Sequence, residues 1–384
     1  MEVVMRILYV TTVGSTMYFF KDLIRDLLDE GHTVDIACNE KIKPLLPCYR
    51  EWGCHVFPIS CTRSPFSKAN FSAIKEIQRT VAEQKYDIVH CHTPVASACT
   101  RLACRKLRKS GLTVIYTSHG FHFYKGAPFK NRLIYYPIEK YCSRFTDVLI
   151  TINKEDYEAA KKLDAKRVEL TPGVGIDVNK YKNAVVDKKS AREALGIPDD
   201  AFVLISVGEL NRNKNHSVVI RALEKLADRH IFYLIAGEGK LRDELMQTAE
   251  KAGVADRVKL LGFRTDVPEL YKMSDAVIFP SIREGLGLVS VEGMAAGLPL
   301  ICADNRGTRE YSEPYREEGL VCPATDPCAF AAAIKRLADD PEKCAALGAL
   351  GPKYAEAFSV YKVIAKVKSI YYDCRPDDSA FPEG

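Results

Sequence analysis

The sequence predicts an α/β protein built as two Rossmann-like, doubly wound parallel-sheet domains facing a cleft, and three observations predict it. Its 384 residues exceed what one ordinary core organises and suit two domains. Strand-like apolar runs alternate with helical periodicity along the chain. The alternation breaks at "LTPGVGIDVNKY", where Pro172, Gly173 and Gly175 interrupt regular structure, and then it restarts.

The elements follow in order. "RILYVTT" reads as a buried first strand from its aliphatic and β-branched content, and "FFKDLIRDLLDEG" behind it as an amphipathic helix. "TVDIACN", "YDIVHCH", "TVIYTSH" and "DVLITIN" continue the first set, each trailed by a helix-like segment. "FVLISVGE", "IFYLIAGEG", "VKLLGF", "AVIFPS" and "PLICAD" form the second. Parallel strands covered on both faces carry near-continuous apolar runs of this kind. The expected domains are residues 1–172 and 173–352, with 353–384 supplying a helix, "YKVIAKVKSIYYDC", that packs back on the first domain, and a frayed tail, "RPDDSAFPEG".

Composition narrows the class. Hydrophobic residues make up 47% and charged residues 27%, with no apolar run of bilayer-spanning length, so a transmembrane protein is excluded. "MEVVMRILYVTTVG" has neither a basic leader nor a small-residue cleavage site. The 13 cysteines include no C-x-x-C pair, which argues against zinc and redox motifs and fits thiols in a reducing cytoplasm. Residues 1–172 hold 26 Lys and Arg against 18 Asp and Glu, whereas 173–384 hold 29 against 32, so the first half is basic. Its densest stretch, "RLACRKLRKS", is expected to line Arg101, Arg105, Arg108 and Lys109 along one helix face, either solvated or turned to an anionic partner. No nucleic-acid motif accompanies it.

Three stretches carry chemistry. In "SIREGLGLVSVEGMAAGLPL", Gly285 and Gly287 allow a tight turn into a helix, and the first amides, about Gly287 to Val289, form an anion site suited to phosphate. Glu292 lies a turn further in, where it can accept hydrogen bonds from sugar hydroxyls; Glu284 precedes the turn and serves either a different role or the helix cap. In "VGELNRNKNH" a strand ends at Gly208, and Arg212 and Lys214 in the next loop are placed to hold and stabilise a departing diphosphate. In "TSHGFHFYKG", His119 directly follows a strand, positioned to reach across the cleft. His90 and His92 share a face at another strand end, but no third ligand is indicated, so no metal is expected. There is no D-x-D and no complete G-x-G-x-x-G, which disfavours metal-dependent transfer and dinucleotide redox chemistry.

Taken together these residues resemble glycosyltransferase family 4, the retaining transferases of GT-B fold, from about Met5 to Tyr372. The E-x7-E pattern of Glu284 and Glu292 is the most specific element, supported in order by "SHGFHFYKG", "GELNRNKNH", "GEGKLRDEL" and "LLGFRTDVPELY". The resemblance implies an N-terminal acceptor domain and a C-terminal nucleotide-sugar domain. It implies that Glu292 binds ribose, that Glu284, Gly285, Leu286, Gly287, Leu288 and Val289 meet the donor sugar and diphosphate, and that Lys214 grips phosphate. Gly262 and Phe263 match the segment near the base, His119 the histidine that positions the donor sugar, and Gly208 and Gly14 join the donor-binding set. Two departures stand out: Glu209 replaces the arginine often found after the glycine, leaving Arg212 as its substitute, and Gly14 stands alone where many relatives carry a glycine pair.

The implied reaction takes a sugar, expected from a UDP-sugar, to an acceptor hydroxyl with retention and without a metal or other cofactor. "HGFHFYKG" and "NRGTREYSE" look most like bacterial transferases that build capsular or exopolysaccharide units on a polyprenyl diphosphate. The interleaved aromatic and basic residues of "FHFYKGAPFKNRLIYYPIEKY" then read as an edge for an anionic membrane or a lipid diphosphate, at the inner face of the cell membrane. A nucleotide-sugar epimerase and a non-catalytic nucleotide-sugar-binding subunit are the competing readings; intact Lys214, Glu284, Glu292 and His119 argue against the latter.

Overall fold

The computed structural model describes residues 4–226 and 230–374. The expected frayed tail, which begins at Arg375, lies outside them. The chain divides into two compact units, Met1–Val174 with Val363–Gly384, and Gly175–Lys362.

The first unit is built on seven strands: β1 (Arg6–Val13), β2 (Thr33–Asn39), β3 (Val56–Pro58), β4 (Ile88–His92), β5 (Thr113–Ser118), β6 (Val148–Thr151) and β7 (Arg167–Leu170). They pair in the order β3-β2-β1-β4-β5-β6-β7, all parallel. β1 and β4 are buried almost throughout, as expected of central strands covered on both faces. The sequence reading missed β3 and β7. Both are edge strands: β3 is three residues long and ends in a proline, and β7 ("RVEL") is half-buried and charged.

The second unit carries β8 (Phe202–Val207), β9 (Ile231–Ala236), β10 (Val258–Gly262), β11 (Ala276–Phe279), β12 (Leu300–Ala303) and β13 (Val321–Cys322). Their order is β10-β9-β8-β11-β12-β13, again all parallel. Only the two-residue edge strand β13 escaped the sequence reading. In each sheet the order reverses once, between β1 and β4 and between β8 and β11. At such points the two neighbouring loops leave in opposite directions and open a crevice beyond the carboxyl ends of the strands, where ligands collect in open α/β sheets.

The helices needed below are α1 (Lys21–Asp29), α2 (Ala69–Gln84), α3 (Pro94–Cys104), α4 (Phe129–Ser143), α5 (His216–Lys225), α6 (Leu288–Ala295) and α7 (Val360–Asp373). Late in α7, Tyr371 enters the core of the first unit, where its hydroxyl lies 2.6 Å from that of Tyr9 and 2.6 Å from His90 Nδ1. Among the described residues no helix is long and apolar enough to cross a membrane.

The expected basic face is corrected. α3 stops at Cys104, and Arg108 and Lys109 sit in a separate turn, Leu107–Ser110. Arg101 is fully buried, 2.8 Å from Glu139 and stacked 4.2 Å over the Tyr116 ring. Arg108 is held by Asp147 through contacts of 2.6 and 2.8 Å. A buried guanidinium needs a carboxylate beside it, so two of the four cations serve internal pairs rather than a surface.

Candidate active site

In the second unit the reversal point is framed by the loop from Gly208 to Asn215, between β8 and α5, and the loop from Pro280 to Gly287, between β11 and α6. Asparagines tie the two together. Asn213 donates to the Arg283 carbonyl at 2.8 Å, its own carbonyl accepts from Ile282, and Asn215 donates to the carbonyls of Pro280 and Ala324. These bonds fix the backbone from which Lys214 and Glu284 reach each other, Nζ to Oε1, at 2.8 Å. Both side chains are more than four-fifths buried, and Lys214 also stands 5.0 Å over the Phe279 ring. A largely desolvated cation at a sheet's carboxyl edge is thus set in place by a single carboxylate.

Glu284 does not cap α6. Gly287 is the N-cap residue, at φ 83, and a Cβ there would strike the Phe279 ring at 2.7 Å, so only glycine makes this turn. Leu286 is buried, and the Tyr311 hydroxyl bonds the carbonyls of Leu286 and Gly287 at 3.0 and 3.1 Å. Gly285 opens the turn, and Leu288 and Val289 start the helix, with no acidic residue in its first turn. Their amides belong to the set that a helix leaves without internal acceptors, at its positive end.

Glu292 follows one turn on. Burial raises its carboxyl to about 7, against hydrogen bonds from Tyr181 and Tyr271 and the charge of Lys180, which hold it down. Gly262 ends β10 and accepts from the Gly237 amide at 2.7 Å, while Gly237 in turn packs against Gly208. Phe263 presents a ring that is 74% exposed. The second unit therefore gathers Gly208, Lys214, Glu284 to Val289 and Glu292 around one crevice, with Gly262 joined to it through Gly237. Arg212 and Glu209 are both exposed.

His119 and Gly14 lie in the first unit, also at strand ends. His119 Nε2 is 3.2 Å from His92 Nδ1, and His92 is packed against Phe20 and His90 at ring distances of 4.1 and 4.2 Å. Burial lowers His119 to about 4 and His90 to about 3, and drives His92 well below its ordinary value, so the cluster is uncharged at neutral pH. His119 can thus orient a hydroxyl by hydrogen bonding but brings no positive charge. Gly14 is required by packing: its Cβ would meet Leu45 N at 2.5 Å.

Two features escaped the sequence reading. Arg306, buried, donates from Nε to the Glu284 carbonyl at 3.3 Å, and neighbouring Asn305 bonds Ser281 O and accepts from the amides of Gly307 and Thr308. "NRGT" is an Asx-turn signature, which was the available signal. Thr93, at φ 67, bridges to Thr12 at 2.7 Å across the reversal point of the first sheet. A β-branched residue in that region is strained, and no sequence pattern announces it.

Two doubly wound, all-parallel sheets are the architecture of the GT-B glycosyltransferases. The model described as "Glycosyl transferases group 1" matches residues 187–354, and that described as "Glycosyl transferase 4-like" matches residues 6–153. The protein named "Putative glycosyltransferase EpsD" of Bacillus subtilis (strain 168) is 40% identical over 346 residues, 89% of each chain. The chain therefore belongs to the group 1, family 4-like glycosyltransferases and is a transferase enzyme. It is also 27% identical, over 79% of its length and 81% of the relative's, to an Escherichia coli UDP-Gal:alpha-D-GlcNAc-diphosphoundecaprenol alpha-1,3-galactosyltransferase. Anabaena Alr3699/HepE, solved in complex with UDP, shares the fold at a TM-score of 0.80 and 21% identity, covering 96% of this chain and 100% of that one.

Proposed function

We propose that this enzyme moves a sugar from a UDP-sugar, with retention, to a hydroxyl of a polyprenyl-diphosphate-linked saccharide during assembly of a cell-surface polysaccharide, working at the inner face of the cell membrane. The observation that carries the reading is the Lys214–Glu284 pair set beside the start of α6 at the reversal point of the second sheet. A diphosphate there meets the remaining Lys214 protons and the amides of Leu288 and Val289, donors that are fixed before charge develops on the leaving oxygen. Glu292 takes the ribose hydroxyls, Phe263 stacks with the base, and neutral His119 orients the sugar.

As the bond from anomeric carbon to phosphate oxygen breaks, the departing diphosphate accepts the acceptor's proton, and the acceptor oxygen bonds the same face of the sugar. The fixed cation and amides take the role a metal has elsewhere, so no metal is required. The relatives support the donor and the acceptor: one is named for a UDP-galactose donor and a diphosphoundecaprenol acceptor, and HepE was solved with UDP-glucose as well as UDP.

The test is a thermal-shift screen of nucleotide sugars followed by donor hydrolysis with the best binder, in the presence and absence of EDTA. A UDP-sugar is expected to raise Tm and to be cleaved equally in both conditions. Activity that EDTA abolishes and a metal restores, or a response confined to another nucleotide, overturns the proposal.

A further inference from the structure

In the first unit α2, α3 and α4, with the turn before α2, enclose a cavity of about 430 Å³, a size typical of small-molecule sites. Its walls are mostly carbon, from Phe66, Phe71, Val95, Leu102, Tyr135 and Ile138. Two of the polar side chains in the lining are already engaged: Glu139 with Arg101, and Asn70 with the carbonyl of Ser64 and the amide of Thr62.

Phe66 and Phe71, which line the cavity, are 76% and 72% exposed, so its walls run out to solvent as carbon. Exposed carbon at the mouth of an apolar pocket marks an interaction site. Its surroundings are cationic: Arg63, Lys68, Lys75, Lys130 and Arg132 are all exposed, while the sequence has no Asp or Glu between Cys61 and Lys75 or between Asp87 and Glu139. An apolar slot within a cationic rim complements a molecule with a hydrocarbon body and an anionic head. Pro94 and Val95 also line the cavity, so it extends to the first turn of α3, directly after His92 and Thr93 at the carboxyl end of β4.

We propose that this cavity seats the hydrocarbon chain of a phosphate-bearing lipid, the anchor of the acceptor, and that the surrounding lysines and arginines meet its phosphate. The proposal rests on the reading of the acceptor as lipid-linked. It adds a place for the lipid, separate from the donor crevice of the second unit.

The experiment titrates the full chain calorimetrically with farnesyl phosphate, farnesol and inorganic phosphate, and separately records the rise in Tm with UDP. Farnesyl phosphate is expected to bind and inorganic phosphate not to bind. Ala98→Trp, which fills the cavity from α3 without changing any charge, should weaken farnesyl phosphate by at least about tenfold, as should Phe71→Glu, which places a charge against apolar walls. Lys130→Glu with Arg132→Glu should weaken farnesyl phosphate and spare farnesol. An unchanged far-UV circular dichroism spectrum and ligand-free Tm in each variant show that it is folded. Farnesyl phosphate binding that survives Ala98→Trp, or that inorganic phosphate reproduces, overturns the proposal; so does a dimer that Phe71→Glu dissociates with lipid binding intact. If UDP has no effect on the parent chain while farnesyl phosphate binds as described, the donor reading fails and the lipid site stands.

Discussion

The two units present the same topological crevice with opposite chemistry. At the carboxyl edge of the second sheet stand an ion pair, a titrating carboxyl and a helix start. At the edge of the first stand Tyr9, Phe20 and three imidazoles, all kept neutral by burial. The first unit nevertheless has the excess of cations in its sequence. It places some in internal pairs such as Arg101–Glu139 and others on an outer surface. Where charge sits relative to the sheet edge, rather than how much of it a domain contains, decides which crevice suits a diphosphate and which suits uncharged hydroxyls.

The largest effect is expected where the first unit hides its charge. Glu139→Ala leaves Arg101 buried and unpaired, and chemical denaturation should show a loss of about 3–5 kcal/mol. Arg101→Met combined with Glu139→Leu should recover most of it, because the pair contributes little beyond a well-packed apolar replacement. Next comes the charged edge of the second sheet. Lys214→Ala should cut kcat by about 10²–10³, measured as transfer or donor hydrolysis, since it removes a preset cation from the leaving group. Wild-type turnover in that variant would remove Lys214 from the mechanism. Glu292→Ala should raise the donor KM by about tenfold with a smaller change in kcat, because a ribose contact acts in ground and transition states alike.

The smallest effect separates the two edges by pH. With its carboxyl raised to about 7, Glu292 ionises between pH 6 and 8, so donor KM should fall a few-fold as pH rises, and Glu292→Gln should flatten that profile. Its stability sign is opposite to that of a salt-bridged acid. The folded chain keeps this proton up to about 7, whereas an unfolded carboxyl loses it near 4.5. The stabilising contribution is therefore complete below about 4.5 and is lost as pH climbs to about 7. Glu292→Gln should be the more stable protein at pH 8. His119, already lowered to about 4, should contribute nothing to the profile over pH 6–8.

The sequence made the central strands legible because burial on both faces leaves unbroken apolar runs, as in "RILYVTT" and "FVLISVGE". Edge strands β3, β7 and β13 carry no such run, being short or half-polar. The glycine turn before α6 was readable from Gly285 and Gly287, and the helix start followed from it. What could not be read was pairing. Lys214 and Glu284 are 70 residues apart, and their 2.8 Å contact depends on loops tied by Asn213 and Asn215. The basic stretch around Arg101 misled for the same reason: its partners Glu139 and Asp147 arrive from distant elements, and a local charge count sees only the cations.

The hydroxyl of Tyr371 that joins Tyr9 to His90 sets a schedule for synthesis. Residues 9 and 90 leave the ribosome early, and His90 and the phenol of Tyr9 then wait for a partner that is encoded after the entire second sheet. Domains of a nascent chain generally fold in the order they are made. Here the N-terminal unit can assemble its sheet first but cannot satisfy its own interior until α7 emerges, so the unit that begins the chain is the last to be finished.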